Sequence, residues 1–185
     1  MTVSAEPIKQ TLLELKKQGI HTELTDLIIP QVGEDMNEAR KLCGWLYDNL
    51  GPDVPIQFTS FHPDYKMMNV PGTPYETLLN HYKIGKEIGL NYVYIGNVPG
   101  NPYEHTYCPG CKKIVIERYG FMINGWNLDD KYNCESCGYR IPITGKRAKN
   151  FHYRDIESFY IPIIKSKDSA SKRETESSIK LIAPK

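Results

Sequence analysis

The chain has 185 residues, of which 40% are hydrophobic and 24% are charged, and its net charge is +1. This composition predicts a soluble globular protein and excludes disordered and fibrous classes, and no apolar run approaches the ~20 residues that cross a bilayer. The charge is unevenly divided, because residues 1–145 carry 13 basic and 17 acidic residues whereas residues 146–185 carry 10 and 5. The start of the chain has neither the basic nor the apolar part of a secretory signal, so we expect a cytoplasmic protein with reduced cysteines and no membrane contact.

The first half of the chain alternates helical and extended patterns. A helix capped by Ser4 precedes an apolar strand at 24–29. A second helix, whose apolar stripe includes Cys43, precedes a strand at 54–61. Since Cys43 lies on the packed stripe, we interpret it as a small buried hydrophobe and not as a reactive thiol.

The third helix has the clearest start signal. The tetrapeptide TPYE at 73–76 fits a capping box with proline at the first helical position, and the helix is expected to run to about Ile88 before a third strand at 91–95. Helices alternating with short strands predict parallel βαβ units. Three parallel strands alone would leave unpaired edges. We therefore predict an α/β fold in which residues 1–100 form a partial (half) β/α barrel.

Two C-x2-C motifs separated by 22 residues, Cys108-Pro-Gly-Cys111 and Cys134-Glu-Ser-Cys137, follow the barrel segment. Four thiolates with this spacing can surround one Zn2+ tetrahedrally, which predicts a structural zinc site, with iron or disulfides as alternatives. His105 lies three residues before the first motif, but four cysteines already complete the tetrahedron, so we expect a supporting or surface role for it.

The motifs predict a zinc ribbon over 101–145, in which a strand at 113–119 is joined by a returning strand at 139–143. So small a module has too little apolar core to fold alone, and the metal would supply the missing stability. Residues 146–185 are predicted to be a basic C-terminal extension, partly flexible because of their polar composition.

Four phrases of the sequence are specific in combination: HTELTDLIIP, FTSFHPDYKMMNVPGTPYETL, NYVYIGNVPGNPYEHTYCPGC and KIVIERYGF. They resemble the C-terminal part of AmmeMemoRadiSam-type radical SAM proteins, which are relatives of pyruvate formate-lyase activating enzymes. The resemblance covers roughly residues 4–145. It implies a partial barrel with parallel strands, followed by the zinc ribbon.

The resemblance also implies a missing part. Radical SAM chemistry needs a C-x3-C-x2-C loop that holds a [4Fe–4S] cluster, and this sequence contains no such loop. We therefore expect no catalysis by the chain alone, with S-adenosylmethionine and [4Fe–4S] relevant only if an N-terminal half completes the barrel. Matching the phrases places Thr25, where the related enzymes carry arginine, and His62 against S-adenosylmethionine. Beyond His62, Asp64, Tyr65 and the following methionines are open either to substrate contact or to loop packing.

Two kinds of partner follow from these expectations. A cluster-bearing radical SAM half, or a second copy of the chain, would cover the exposed sheet edge. The alternative function is a non-catalytic zinc-ribbon module that binds nucleic acid or protein, because basic residues alternate with aromatic ones near the knuckles. Those basic residues are Lys112, Lys113, Arg118, Arg140, Lys146, Arg147 and Lys149.

Overall fold

The computed structural model describes residues 5–146, in which a parallel α/β layer precedes a small antiparallel sheet. The elements of the parallel layer are α1 (Glu6–Lys17), β1 (Leu24–Ile28), α2 (Met36–Leu50), β2 (Ile56–Ser60), α3 (Tyr75–Ile88) and β3 (Val93–Gly96). The antiparallel sheet consists of β4 (Thr106–Tyr107), β5 (Ile114–Tyr119) and β6 (Met122–Trp126). The predicted Ser4 cap and the predicted tail from residue 147 onward lie outside the described residues. No helix within 5–146 is long and apolar enough to span a membrane.

The first sheet has the order β1-β2-β3, and both strand pairs are parallel. One face carries the apolar core, in which Phe58 and Ile95 are fully buried against the helices together with Leu46 and Leu78. Along β1, less exposed side chains alternate with exposed ones, which follows the two-residue period of β structure. The prediction of a mixed α/β chain with three parallel strands is confirmed.

Within the described residues, the other face of this sheet is open over β1 and at Gln57 of β2, whereas Thr106 and Arg118 of the antiparallel sheet cover it at Tyr94 of β3. Thr25 and Leu27 of β1 and Gln57 of β2, the central strand, are exposed, and Leu27 retains 45% of its accessible surface. Thr25 and Gln57 are register partners, so they lie side by side on this face. Purely parallel sheets normally have both faces covered, which makes this exposure unusual.

The predicted capping box at 73–76 is wrong. The N-cap of α3 is Pro74, and no side chain caps the helix. The hydroxyl of Thr73 instead accepts the backbone N–H of Phe61 at 2.8 Å and donates to the carbonyl of Ile28. Thr73 is buried, so its hydroxyl satisfies backbone groups just past β2 and at the end of β1 instead of helix amides.

The strand predicted at 113–119 is present as β5, but the predicted returning strand at 139–143 is wrong. Gly120, with φ of 56°, turns the chain immediately after β5, and β6 pairs with β5 as an antiparallel hairpin. On the other side of β5 lies the short strand β4. Within 139–143, Arg140 makes an isolated bridge with Asn133.

Polar contacts join the two sheets. The hydroxyl of Thr106 in β4 lies 3.0 Å from the hydroxyl of Tyr94 in β3 and accepts a hydrogen bond from Arg118 Nη1 at 2.6 Å. The Arg118 guanidinium also lies 5.7 Å from the centre of the Tyr94 ring. Tyr92, just before β3, is buried in the apolar core of the antiparallel sheet. The second sheet is therefore attached directly to the third parallel strand.

Candidate metal centre

The two C-x2-C motifs form the same tight turn. In the first, the N–H of Lys112 donates to the carbonyl of Cys108 at 2.9 Å, and the N–H of Cys108 donates to the carbonyl of Lys113 at 2.8 Å. The same two bonds, both 2.8 Å long, join Cys134 to the fourth and fifth residues after it. The fourth residue has positive φ in both turns, 64° at Lys112 and 74° at Gly138. Each turn therefore fixes a cysteine pair by backbone geometry alone.

The two turns bring the four sulfur atoms together. The Sγ atoms of Cys108 and Cys137 are 3.5 Å apart, those of Cys111 and Cys134 are 3.7 Å apart, and all four lie within 4.8 Å of one another. A tetrahedral zinc ion with Zn–S bonds of about 2.3 Å requires sulfur separations of about 3.8 Å. The four predicted cysteines therefore form one group whose donor set and spacing fit a metal ion such as zinc.

The sulfur cluster sits at the edge of a small apolar core. Cys108 and Cys134 are almost fully buried, whereas Cys137 is exposed. Val115 of β5 and Leu128, both buried, belong to the same cluster of packed side chains. This core contains only seven buried residues, so a bound metal would contribute a large share of the local stability.

The other cysteine and the nearby histidine do not belong to this group. Cys43 is fully buried on α2, and burial raises the pKa of its thiol to about 11. Its interpretation as a buried hydrophobe agrees with this environment. His105 accepts the backbone N–H of Arg118 at its Nδ1 atom, 3.1 Å away, and therefore supports the end of β5 near the hairpin turn.

Thr25 and His62 are not brought into contact. Thr25 is the second residue of β1 and lies on the open face of the parallel sheet beside Gln57. His62 follows the carboxyl end of β2, and its side chain is exposed. Five residues separate His62 from Gln57, a span of roughly 15 Å along an extended chain. The two residues therefore lie near opposite ends of the parallel strands.

Each loop that leaves the carboxyl end of a parallel strand contains a non-glycine residue with positive φ. These residues are Gln31 after β1 (70°), Tyr65 after β2 (46°) and Asn97 after β3 (61°). Such conformations cost of order 1 kcal/mol or more and are concentrated at functional sites. Asp64 accepts the N–H of Tyr65 at 2.6 Å, so this aspartate has the loop-capping role that was one of its two interpretations.

The same end of the sheet carries the most exposed large apolar side chains among the described residues. Phe121 is completely exposed, and Val32, Tyr65 and Met68 retain 81%, 80% and 68% of their accessible surface. Val32 and Met68 lie in the loops after β1 and β2, and Phe121 is at the tip of the β5–β6 hairpin. Exposure of several large apolar groups at one edge is typical of interaction surfaces.

A buried carboxylate that the sequence patterns did not reveal holds the hairpin tip in place. Glu104 is only 7% exposed and accepts the backbone N–H of Gly100 at 2.8 Å and that of Gly120 at 2.9 Å. Gly100 belongs to the loop after β3, and Gly120 to the hairpin turn. No local spacing identifies this clamp, since Gly120 lies 16 residues further along the chain.

Several of the basic residues predicted as a nucleic-acid surface are engaged within the protein. Arg118 contacts Thr106 and Tyr94, and Arg140 donates to the carbonyl of Ile141 at 2.9 Å while lying 5.2 Å from the ring centre of Tyr132. Arg147 and Lys149 lie outside the described residues.

No family model matches the sequence. The chain is similar to an uncharacterized protein of the archaeon Methanocaldococcus jannaschii, with 44% identity over 139 residues, which is 75% of this chain. The matched region covers 42% of that relative. The chain thus spans less than half the length of the relative it matches.

Proposed function

We propose that the chain acts as the C-terminal portion of a radical SAM-type protein, related to pyruvate formate-lyase activating enzymes, with a structural zinc ion on its four cysteines. In this proposal the three parallel strands are a half barrel. The chain is not catalytic alone, because it has no C-x3-C-x2-C motif. A segment outside these 185 residues that carries this motif would supply the [4Fe–4S] cluster and most of the S-adenosylmethionine site.

The open face of the parallel sheet is the observation that carries this proposal. Leu27 and Gln57 are exposed on strands whose other face is packed against helices. Within residues 5–146, β1 has a strand neighbour on one side only. A parallel sheet that is uncovered over β1 and has a free edge strand there favours completion by further strands.

The polar residues on this surface support the same proposal. Thr25 lies on the open face near the amino end of β1. His62 follows the carboxyl end of β2, and ligands of parallel β/α folds are bound at this end of the strands. Each of the surrounding loops contains one residue in the left-handed backbone conformation, namely Gln31, Tyr65 or Asn97. In a completed barrel, His62 and Thr25 would face S-adenosylmethionine.

Co-expression tests the proposal. The full chain is produced under anaerobic conditions with a polypeptide that carries a C-x3-C-x2-C motif and the strands of the first half of a radical SAM-type barrel. We expect a stable complex that contains zinc and a [4Fe–4S] cluster and cleaves S-adenosylmethionine when reduced. Failure to associate, together with the absence of iron-dependent cleavage, would refute it.

A pair of surface variants makes this experiment specific. Leu27→Lys places a charge on the open face and is expected to abolish association while the chain still binds one zinc ion. Ile8→Lys on α1 is the matched control, because Ile8 is 58% exposed on a helix away from this face. Equal effects of the two substitutions would show that the open face is not the docking surface.

The alternative zinc-ribbon module for nucleic acid or protein remains a prediction. The internal contacts of Arg118 and Arg140 weaken it, because these guanidinium groups are partly used to stabilise the fold. Phosphate contacts would make binding to single-stranded nucleic acid fall steeply with salt. Tight, salt-dependent binding by the zinc-loaded chain would favour the alternative over the half barrel.

A further inference from the structure

A cavity of about 250 Å³ lies between α3, the start of β3 and the first cysteine knuckle. It is at the amino end of the parallel strands, opposite to the end that carries His62. Five tyrosines contribute to its wall, and among the described residues no aspartate or glutamate does. Apart from Cys108 and the tyrosines, the wall has three ionisable side chains, those of Lys86, Lys112 and His105. The cavity is therefore aromatic and rich in hydrogen-bond donors.

His105 must present a donor as well. Its Nδ1 atom accepts the N–H of Arg118, so in the neutral ring the proton resides on Nε2. Lys86 donates to the carbonyls of Leu90 and Asn91, both at 2.9 Å, which leaves one of its three N–H groups uncommitted. Partial burial lowers the pKa of Lys86, and the Lys112 ammonium lowers it further, so the two lysines repel each other. An anion between them would relieve this repulsion.

Tyr92 supplies the second, independent observation. Tyr92 contributes to the wall of this cavity and of a neighbouring one, is 4% exposed, and its hydroxyl has no hydrogen-bond partner among residues 5–146. A buried hydroxyl without a partner is costly, so natural folds rarely keep one without use. A ligand in the cavity would provide the missing partner.

The identity of residue 112 points the same way. The knuckle turn requires positive φ at this position, and the equivalent position of the second knuckle is occupied by Gly138. A lysine at φ of 64° is strained where glycine is not. The Lys112 ammonium donates to the carbonyl of Pro109 in the same turn at 2.8 Å, which leaves two of its three N–H groups uncommitted, and Lys112 contributes to the cavity wall.

We propose that this cavity binds a small organic anion, in which a phosphate or carboxylate group is joined to a flat ring. The anionic group lies between Lys86 and Lys112 and accepts the hydrogen bond of Tyr92. The ring packs against the tyrosine side chains of the wall. The cavity is smaller than pockets that enclose drug-sized ligands, which limits the ligand to about the size of a single substituted ring.

An NMR titration of the zinc-loaded full chain tests this site. Phenyl phosphate and benzoate are the probes, inorganic phosphate tests the need for a ring, and benzylamine is the control of similar size and opposite charge. We expect saturable shifts of the amides at residues 91–94 and 105–112 with at least one of the two ring anions, and none with benzylamine. The tighter of the two distinguishes a phosphate from a carboxylate ligand.

Two variants separate specific binding from general charge attraction. Lys112→Gln is expected to weaken binding about tenfold, the loss of one charge-assisted hydrogen bond. Lys113→Gln is the matched control, because Lys113 carries the same charge one residue away and donates to Ser136 instead of lining the cavity. Both variants should retain one zinc ion per chain.

Tyr92→Phe distinguishes a ligand role from a structural one. Removal of a hydroxyl without a partner should raise the melting temperature of the ligand-free chain by about 3 °C while weakening the probe several-fold. A melting temperature that falls would show that the hydroxyl already has a structural partner and would overturn the proposal. So would equal weakening by the two lysine variants, equal affinity for inorganic phosphate and for the ring anions, or no saturable binding at all.

Discussion

The carboxylate of Glu104 offers a sharp test of how the antiparallel sheet is held to the parallel layer. It accepts two backbone N–H bonds, from Gly100 at 2.8 Å and from Gly120 at 2.9 Å, in a nearly water-free environment. A hydrogen bond to a charged group contributes about 1.5–3 kcal/mol. Glu104→Gln preserves the shape of the side chain and one acceptor oxygen. The other oxygen becomes an NH2 group, which faces a backbone N–H that it cannot accept. We expect a loss of about 2–3 kcal/mol in the free energy of unfolding.

The assay is urea unfolding of the zinc-loaded chain, accompanied by amide hydrogen exchange at Gly100 and Gly120. Glu135→Gln is the matched control, because Glu135 is exposed and its substitution removes the same charge. A surface change of this kind stays within about 0.5 kcal/mol. If Glu104→Gln costs no more than the control, or if exchange at Gly120 is not accelerated, the clamp does not hold the hairpin as described.

Four further outcomes follow from the surroundings of individual residues. The four knuckle cysteines should become reactive to a thiol reagent at pH 8 when a chelator removes the metal, whereas Cys43, with a pKa of about 11, should react only after unfolding. Burial raises the pKa of Asp26 in the folded chain. The protonated carboxyl therefore adds to the free energy of unfolding at low pH, and this contribution is lost as the pH rises through the folded pKa. Asp26→Asn should therefore stabilise the chain at pH 7 and lose this advantage near pH 3, whereas Asp48→Asn on the surface of α2 should not, and a pH series of melting temperatures checks both. Gly44→Ala should stabilise α2 by about 1 kcal/mol in urea unfolding because its added methyl meets no atom within 4 Å. Gly85→Ala should destabilise the chain in the same assay, since its methyl would lie 3.0 Å from a side chain of β3.

The features that could be predicted from the sequence are those encoded locally. The apolar stripe of α2 and the short apolar strands identify the parallel layer, because helix and strand periods differ. The cysteine group follows from spacing, since each C-x2-C turn places its own two sulfurs and one closure brings the pairs together. Partner half, cofactor and ligand are not encoded in such periods and remain proposals.

The features that the sequence patterns missed depend on packing against other segments of the chain. Thr73 has the sequence context of a helix cap, but the backbone groups of Phe61 and Ile28 compete for its hydroxyl and win. The strand β6 has the sequence MINGW, in which asparagine and glycine break the alternation that marks a strand. Gly125 in this strand lies against Glu117 of β5, where an added methyl would approach within 3.0 Å. Close packing across the hairpin, and not local preference, selects this residue.

The two knuckles, similar in their hydrogen bonds, differ in how readily they form before metal arrives. The first must hold Lys112 in a left-handed conformation at a cost of about 1–2 kcal/mol, whereas Gly138 in the second adopts it almost freely. In the metal-free chain, the turn that brings Cys134 and Cys137 together is therefore formed more often than the turn that brings Cys108 and Cys111 together. A metal ion would therefore be held first by Cys134 and Cys137, and closure of the first turn would then bring Cys108 and Cys111 to the ion. Ligand binding would run from the C-terminal side of the site toward the parallel sheet.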